Sequence, residues 1–193
     1  GIDLTETAVE VAPIAHYHMG GIEVDAGMRS SVPGLYAAGE AVGGANGANR
    51  LSGNAITEAL VFGEIAGREA AGYSQSVSGR WPESRAEKLL RGVFDSDVPT
   101  GGDSADRQFK RLQQLMWRDV GPFRDAVGLE AALTAVRTMR ATSPGRAPVA
   151  PYDMSFAAFV ELRAALVAAE AVMTAAAART ESRGAHQRYD FPE

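Results

Sequence analysis

The chain of 193 residues contains no cysteine. This absence excludes disulfides, thiolate catalysis, cysteine-ligated iron–sulfur centres and covalent attachment of a cofactor through cysteine within the chain. A basic excess is also lacking, because the formal net charge is -5. A nucleic-acid surface would need a basic patch, so we predict no nucleic-acid partner. A local basic pocket for an acidic substrate is still compatible with this charge.

Long apolar runs are absent as well. No run is long enough to span a bilayer, and the alanine-rich residues 164–178 are interrupted by Glu170. We therefore predict no direct membrane span. No signal peptide is visible, since Gly1 opens the chain without a charged n-region. With 46% hydrophobic and 22% charged residues, the composition is that of an ordinary soluble globular protein with one large or two small domains.

Glycine is concentrated in one stretch, residues 37–63, which reads AAGEAVGGANGANRLSGNAITEALVFG. One acid, Glu40, and one base, Arg50, stand among its glycines, and a helical pattern starts at about Ala55. A glycine-rich loop that leads into a helix N-terminus lets backbone N–H groups approach an anionic or electron-rich ligand. The loop is therefore the main candidate for a ligand site.

Two short strands are predicted before this helix. Apolar and polar residues alternate at 22–25, and residues 34–38 read as a second strand that runs into the glycine loop. The helix is predicted over 55–72, with Ile56, Leu60 and Ile65 forming one apolar stripe. So few strands would leave a sheet with unpaired edges, and we expect the other strands to lie before Gly1 in the sequence.

The composition changes at a Ser/Gly-rich linker, residues 73–82, and the pattern becomes helical. Helices are predicted at 83–94, 104–120, 129–141 and 155–179, with Asp103 or Ser104 capping the second and Asp153 or Ser155 capping the last. The apolar residues of the last helix recur at spacings of three and four, which indicates a bundle seam. They are Phe159, Leu162, Leu166, Ala169, Met173 and Ala176.

Three polar side chains near the loop have both a functional and a structural interpretation. Arg50 can bind a carboxylate through two parallel hydrogen bonds, or it can pair with Glu40 or Glu58 to stabilise the loop. Glu40 follows a predicted strand and can bond a ribose or ribityl hydroxyl, or can hold the loop. His16 can bind a carboxylate or bond to nearby backbone.

The first turn of the predicted helix offers the N–H groups of Ala55 and Ile56, which have no partner within a helix and lie at its positive end. They can contact a ligand, or water can cap them with help from Asn54. A metal site is not predicted, since His16 and His18 would face opposite ways in a strand and no third ligand lies near. The late segment with Arg183, His186 and Arg188 is predicted to be a surface cluster or a lid over the first part.

Several strings along the chain resemble a known family. They are PIAHYHMGGIEVD (13–25), VPGLYAAGE (32–40), GANRLSGNAITE (47–58), MWRDVGPFRDAVGLEAAL (116–133) and ESRGAHQRYDFP (181–192). In this order they resemble the C-terminal portion of succinate dehydrogenase/fumarate reductase flavoprotein subunits, a superfamily that includes L-aspartate oxidase. The resemblance implies an α+β fragment. Residues 1–75 would be the C-terminal segment of an FAD-binding α/β domain, and residues 76–193 a helical domain resembling a three-helix bundle.

The resemblance also implies roles for the matching residues. His16, in HYHMGG, would bind a substrate carboxylate. Arg50, in GANR, would clamp a dicarboxylate and orient it for hydride transfer through flavin N5, which interconverts succinate and fumarate. The cofactor-binding residues that it implies for FAD are Glu40, Asn54, Ala55 and Ile56, the last two through their backbone. An iron–sulfur subunit is an implied partner. A cytoplasmic location, peripheral to a membrane through partner subunits, is implied as well.

The chain departs from the family pattern in places. Asn46 stands where many members have the His of HGANR, and neither a GxGxxG fingerprint nor the capping domain with its proton-donating Arg is found. We therefore expect FAD to need the N-terminal FAD-binding half of the same protein, and the fragment to be inactive alone. L-aspartate oxidase, which forms iminoaspartate, is an alternative, although Met19 in HYHMGG favours the first interpretation. A non-catalytic helical interaction module is the third.

Overall fold

The computed structural model describes residues 2–11, 16–79, 82–94, 103–142 and 154–192. The chain divides into two compact units, which we call unit 1 (Gly1–Val77) and unit 2 (Ser78–Glu193). Each unit is described by itself below. Within the described ranges, no helix is both long enough and apolar enough to cross a membrane.

Unit 1 has little regular structure before its helix. Ile22 and Val42 form an isolated parallel bridge, Arg29 and Tyr36 an isolated antiparallel one, and Gly39–Ala41 forms a 3-10 turn. The strands predicted at 22–25 and 34–38 are therefore wrong as strands. A strand needs a neighbour that accepts and donates hydrogen bonds along its length, and the described residues of unit 1 supply such a neighbour at single positions only.

Two glycines make the parallel bridge possible. The amide of Ile22 donates to the carbonyl oxygen of Ala41 at 2.8 Å, and the amide of Gly43 donates to the carbonyl of Ile22 at 3.2 Å. A Cβ atom added to Gly21 would collide with the carbonyl oxygen of Ala41, and one added to Gly43 would lie 2.8 Å from the amide nitrogen of Gly21. This close approach holds the segment that begins at His16 against the glycine loop.

The helix of unit 1, α1, runs from Asn54 to Ser76, so it begins one residue earlier and ends later than predicted. It packs on the 3-10 turn, where a Cβ on Gly39 would lie 3.6 Å from the Cα of Ala59. None of its residues is buried, and Ile56 and Leu60 are 70% and 69% exposed. The described residues therefore leave much of the predicted apolar stripe exposed.

Unit 2 is helical and has a core. It contains α2 (Glu83–Phe94), α3 (Ala105–Asp119), β1 (Phe123–Arg124), α4 (Ala126–Ala141), α5 (Ser155–Ala178) and β2 (Gln187–Arg188). Helices α3, α4 and α5 pack against one another in pairs. The predicted seam of α5 is confirmed, because all six residues are buried: Phe159, Leu162, Leu166, Ala169, Met173 and Ala176. Leu112, Leu129 and Val136 face them from α3 and α4.

Side-chain caps begin two of these helices. The hydroxyl of Ser104 accepts a hydrogen bond from the amide of Arg107 at 3.4 Å, so Ser104, one of the two predicted caps, lies before α3. The carboxylate of Asp125 accepts one from the amide of Gly128 at 2.7 Å at the start of α4. The N-cap position of α5 is Met154, so the prediction of Ser155 as its cap is wrong. Asp153 lies outside the described residues.

The tail of the chain is part of unit 2, where β2 pairs in parallel with β1. Arg188 is 3% exposed and donates from Nη1 to the carbonyls of Ala176 and Arg179 at 3.0 and 2.9 Å, at the C-terminal end of α5. His186 is also buried, and its Nδ1 lies 3.2 Å from Nη1 of Arg124. The prediction of a surface cluster is therefore wrong for both residues.

Candidate functional site

The predicted site residues of unit 1 lie where the segment from His16 meets the glycine loop and the first turns of α1. The hydroxyl of Tyr17 donates to Oε2 of Glu58 at 2.8 Å. The guanidinium carbon of Arg50 lies 4.2 Å from the centre of the Tyr17 ring, which places the cation over the face of the ring. His16, directly before Tyr17, is exposed. Folding thus brings Arg50 onto the ring of Tyr17, the residue that follows His16 in the chain.

Arg50 is half-buried and is oriented by local backbone. Its amide donates to Oδ1 of Asn49 at 2.9 Å, and its Nη1 donates to the carbonyl of Leu51 at 2.9 Å. Its Nε is buried and has no hydrogen-bond acceptor among the described residues. Within the described part of the chain, Arg50 forms no ion pair with Glu40 or Glu58. The predicted alternative, in which Arg50 pairs with Glu40 or Glu58, is therefore not observed among the described residues.

Glu40 is exposed and lies in the 3-10 turn. Its Oε1 accepts a hydrogen bond from the amide of His18 at 2.8 Å, which ties the HYHMGG segment to the loop. A loop-stabilising acid is expected to make such a contact. The hydrogen bond engages only Oε1 of Glu40. The role of Glu40 toward a cofactor hydroxyl stays a prediction.

The first turn of α1 is open where a ligand would approach. Gly53 precedes it with φ 90°, a left-handed conformation that favours glycine. The amide of Ile56 donates to the carbonyl of Gly53 at 3.3 Å, whereas the amide of Ala55 has no acceptor within the described residues. The N-cap residue is Gly53, and no side-chain hydrogen bond caps this end of the helix.

The loop before α1 is equally uncrowded. A Cβ added at Gly44, Gly47 or Gly53 would meet no atom within 4 Å. A flat aromatic ring system with electron-rich carbonyl and nitrogen atoms fits such a loop beside a helix N-terminus, because nothing bulky covers the backbone and the helix end is partly positive. The residues present therefore fit a flavin.

The hydrogen bond to Glu58 affects the chemistry of Tyr17. That bond, followed by burial and the negative charges of Glu58 and Glu40, raises the pKa of the Tyr17 phenol above its ordinary value. The phenol therefore keeps its proton at neutral pH and acts as a donor. Sequence reasoning missed Tyr17, and it named Glu58 only as a possible partner of Arg50 and Asn46 only as a departure from the family motif. The contacts among them join residues 41 and 12 positions apart.

No metal centre is evident in the described ranges, where no group of three or more His, Asp or Glu side chains is arranged to hold an ion.

Comparison with protein families gives two matches. Residues 109–193 match the model described as fumarate reductase flavoprotein C-term, and residues 5–56 match the model described as FAD binding domain. The two matched ranges lie in unit 2 and unit 1 respectively. They agree with the predicted order of an FAD-binding segment followed by a helical segment.

Individual relatives cover essentially the whole chain. L-aspartate oxidase from Caulobacter vibrioides is 42% identical over 193 residues, which are 100% of this chain and 32% of that protein. The fumarate reductase flavoprotein subunit of Mycobacterium tuberculosis is 37% identical over 203 residues, with 99% of this chain and 35% of that protein covered. L-aspartate oxidase from Rhodospirillum rubrum is 40% identical, and the chain covers 61% of it. The chain thus spans about a third to three fifths of these relatives.

A solved structure gives the same result. The Mycobacterium smegmatis Sdh1 complex in the apo form contains a chain that is 36% identical, with a TM-score of 0.90 over 100% of this chain and 33% of that one. The α+β fold, with part of an FAD-binding domain before a helical domain, is therefore confirmed. Fold, loop and matches together define a flavoprotein of the FAD-dependent oxidoreductases. Over its whole length the chain is similar to succinate dehydrogenase/fumarate reductase flavoprotein subunits and to L-aspartate oxidases.

Proposed function

We propose that this chain supplies the dicarboxylate clamp of an FAD-dependent oxidoreductase that interconverts succinate and fumarate. The observation that carries the proposal is the state of Arg50. Its guanidinium lies over the Tyr17 ring at 4.2 Å, its buried Nε has no acceptor among the described residues, and no carboxylate neutralises it there. A cation prepared in this way binds a carboxylate more strongly than a cation already paired with one.

Arg50 and His16 would act on the two ends of the substrate. The planar fork of Arg50 can take one carboxylate through two parallel hydrogen bonds, and the exposed His16 can contact the other. Binding at two points orients the carbon–carbon bond that reacts, and positive charge beside it stabilises negative charge that develops during the reaction. When bound, FAD supplies the two-electron chemistry at this bond.

The residues proposed to hold FAD lie in the 3-10 turn and in the first turn of α1. The amide of Ala55, which has no acceptor among the described residues, and the amide of Ile56 would donate to the electron-rich edge of the ring system, beside Asn54. The second carboxylate oxygen of Glu40 would accept from a ribityl or ribose hydroxyl, since Oε1 already accepts from the amide of His18.

Oxidation of L-aspartate to iminoaspartate is the second candidate. Two L-aspartate oxidases, at 42% and 40% identity, match this chain more closely than the Mycobacterium tuberculosis fumarate reductase protein does at 37%. L-aspartate is also a four-carbon dicarboxylate, so the same clamp serves it. Formation of hydrogen peroxide from L-aspartate, measured against succinate oxidation and fumarate reduction, distinguishes the two reactions.

Partner subunits are a further part of the proposal. The similar Mycobacterium smegmatis chain is from an Sdh1 complex, and another similar chain, 29% identical with a TM-score of 0.88, is from a quinol–fumarate reductase. An iron–sulfur subunit that takes electrons to or from the flavin is the proposed partner. Association through partner subunits would give a peripheral position at the cytoplasmic face of a membrane.

The test is substitution of Arg50 in the flavin-loaded protein that contains this chain. Arg50→Ala is expected to lower kcat/KM for the dicarboxylate by about a hundredfold or more, and Arg50→Lys to recover only part of it, because an ammonium cannot make the paired hydrogen bonds. Arg68→Ala, an exposed arginine of α1, is the matched control. Flavin content is measured in each variant. Unchanged turnover in Arg50→Ala with normal flavin content contradicts the clamp.

A further inference from the structure

Glu58 accepts a hydrogen bond from Tyr17, whose ring contacts Arg50, and both of its oxygens are engaged by neutral groups. Oε2 accepts from the hydroxyl of Tyr17 at 2.8 Å, and Oε1 accepts from Nδ2 of Asn46 at 2.7 Å. Glu58 is half-buried, so these bonds are only partly exposed to competition from water. The carboxylate is thereby held from two sides by residues of two different segments, the HYHMGG segment and the glycine loop.

Arg50 contacts the same tyrosine through a different surface. Its guanidinium carbon is 4.2 Å from the ring centre of Tyr17, while the hydroxyl of that ring points to Glu58. The aromatic ring therefore holds the cation by its face and the anion by its hydroxyl. The guanidinium of Arg50 and the carboxylate of Glu58 both contact Tyr17. Without the hydroxyl of Tyr17, we would expect them to form a charge-assisted hydrogen bond with each other.

We propose that Tyr17 and Asn46 are positioning residues that keep Glu58 out of an ion pair with Arg50, so that the guanidinium stays available for a substrate carboxylate. The inference rests on the proposed function of Arg50 as a dicarboxylate clamp. It adds that the affinity of the clamp depends on two neutral donors that do not themselves touch the substrate.

The identity of residue 46 fits this role. A neutral amide donor satisfies Oε1 of Glu58 without bringing a second charge into the loop, whereas an acid there would repel Glu58 toward Arg50. The raised pKa of Tyr17 agrees with the same arrangement, because a phenol that keeps its proton keeps its hydrogen bond to Glu58.

The first variant is Tyr17→Phe, which retains the ring under Arg50 and removes only the hydroxyl. Oε2 of Glu58 then lacks its donor and can turn to Arg50. We expect the KM for the dicarboxylate, and its dissociation constant measured from perturbation of the flavin absorbance, to rise by about tenfold. This is the size expected for one hydrogen bond to a charged group. We expect kcat to change by less than about threefold, since the loss concerns binding.

The double variant Tyr17→Phe/Glu58→Gln separates positioning from a general structural role. A glutamine amide does not form an ion pair with Arg50, so the second substitution is expected to bring the dissociation constant back to within about threefold of the original value. A purely structural loss would be worsened, not relieved, by removing a second hydrogen-bond partner. Asn46→Ala tests the other oxygen and is expected to weaken binding, with Asn46→His, which keeps an N–H donor, weakening it less.

The outcomes distinguish the two proposals. If Arg50→Ala abolishes binding while Tyr17→Phe and Asn46→Ala leave the dissociation constant unchanged, the clamp stands and the positioning role is wrong. If the double variant binds as weakly as Tyr17→Phe, the positioning role is also wrong. If Arg50→Ala itself binds dicarboxylate normally, the proposed function fails first. Flavin content and the thermal unfolding midpoint show that each variant is folded.

Discussion

Unit 2 buries a continuous set of apolar side chains between three helices, whereas the described residues of unit 1 bury Met28 and Val42 and leave the apolar side of α1 exposed. The two units therefore depend on different forces. Helices α3, α4 and α5 are stabilised by packing, which is the main source of helical stability in proteins. Unit 1 is held by local hydrogen bonds and by the close backbone approach at Gly21 and Gly43.

The comparison also separates stability from function. All of the proposed substrate and cofactor residues lie in unit 1, on loops and at a helix end, where backbone and charged groups can reach a ligand. The apolar side chains of α1, such as Leu60, contribute little to folding while they stay in water. The sharpest tests of this difference replace similar residues in the two units.

The largest expected effect comes from a core leucine. Leu166→Ala in α5 removes a side chain that is 1% exposed, and we expect the free energy of unfolding of unit 2 to fall by about 2 to 5 kcal/mol. Leu60→Ala in α1 is the matched control, because that side chain is 69% exposed, and its expected change is within about 0.5 kcal/mol. Hydrogen exchange of the helix amides reports on each unit separately. Similar losses at both positions would contradict the comparison.

The next largest effect concerns a buried arginine. Arg188→Met removes the donor to the carbonyls of Ala176 and Arg179 at the end of α5, and we expect a loss of about 2 kcal/mol in unit 2. Arg29→Met in unit 1 removes an exposed arginine bonded to Glu69, and little change is expected because exposed ion pairs contribute little. Hydrogen exchange of the last turn of α5 is the measurement. Unchanged exchange there after loss of Arg188 would show that water replaces it.

The smallest effect is a pH dependence confined to unit 2. Burial, followed by the charges of Arg124, Arg179 and Arg188, lowers the pKa of His186 below its ordinary 6.5. The unfolded chain then binds the proton more readily than the folded chain. The contribution of His186 to the stability of unit 2 is therefore fully present above about pH 6.5 and is lost as the pH is lowered below it.

Hydrogen exchange of the α5 amides, corrected for intrinsic rates, is compared at about pH 7.5 and about pH 5.5, on either side of the ordinary histidine pKa. His186→Gln is expected to flatten the difference. His18→Gln, an exposed histidine of unit 1, is expected to leave the profile of unit 2 as it was. A profile that persists unchanged in His186→Gln would assign the pH dependence to other groups.

The sequence predicted the core of unit 2 well for a physical reason. Residues such as Leu162 and Met173 recur at helical spacing, and the same periodicity that defines the helix also defines the face that it buries. The same rule assigned Ile56 and Leu60 to one apolar stripe, which the described residues leave exposed. Periodicity indicates an apolar face, but whether that face is covered depends on other elements of the fold.

The candidate site was predictable only in part. Arg50 and His16 stand out in the sequence by chemistry and by family motif, and folding brings Arg50 onto the ring of Tyr17, which follows His16. The hydrogen bond between Tyr17 and Glu58 could not be predicted from the sequence, because the two residues are 41 positions apart. Any acid or amide of the loop could have accepted the hydrogen bond of Tyr17 instead. The burial of His186 was likewise hidden, since its partner Arg124 is 62 positions away.

The position of Arg188 has a consequence for the order in which unit 2 assembles. The pairing of β1 with β2 joins residues at large sequence separation, as the Arg124–His186 contact at 62 positions shows, so it raises the contact order of an otherwise local three-helix fold. Helices α3, α4 and α5 can associate through contacts that are closer in sequence before this pairing forms. The end of α5 stays without its arginine until β2 pairs with β1, so this pairing is expected to follow the association of the helices.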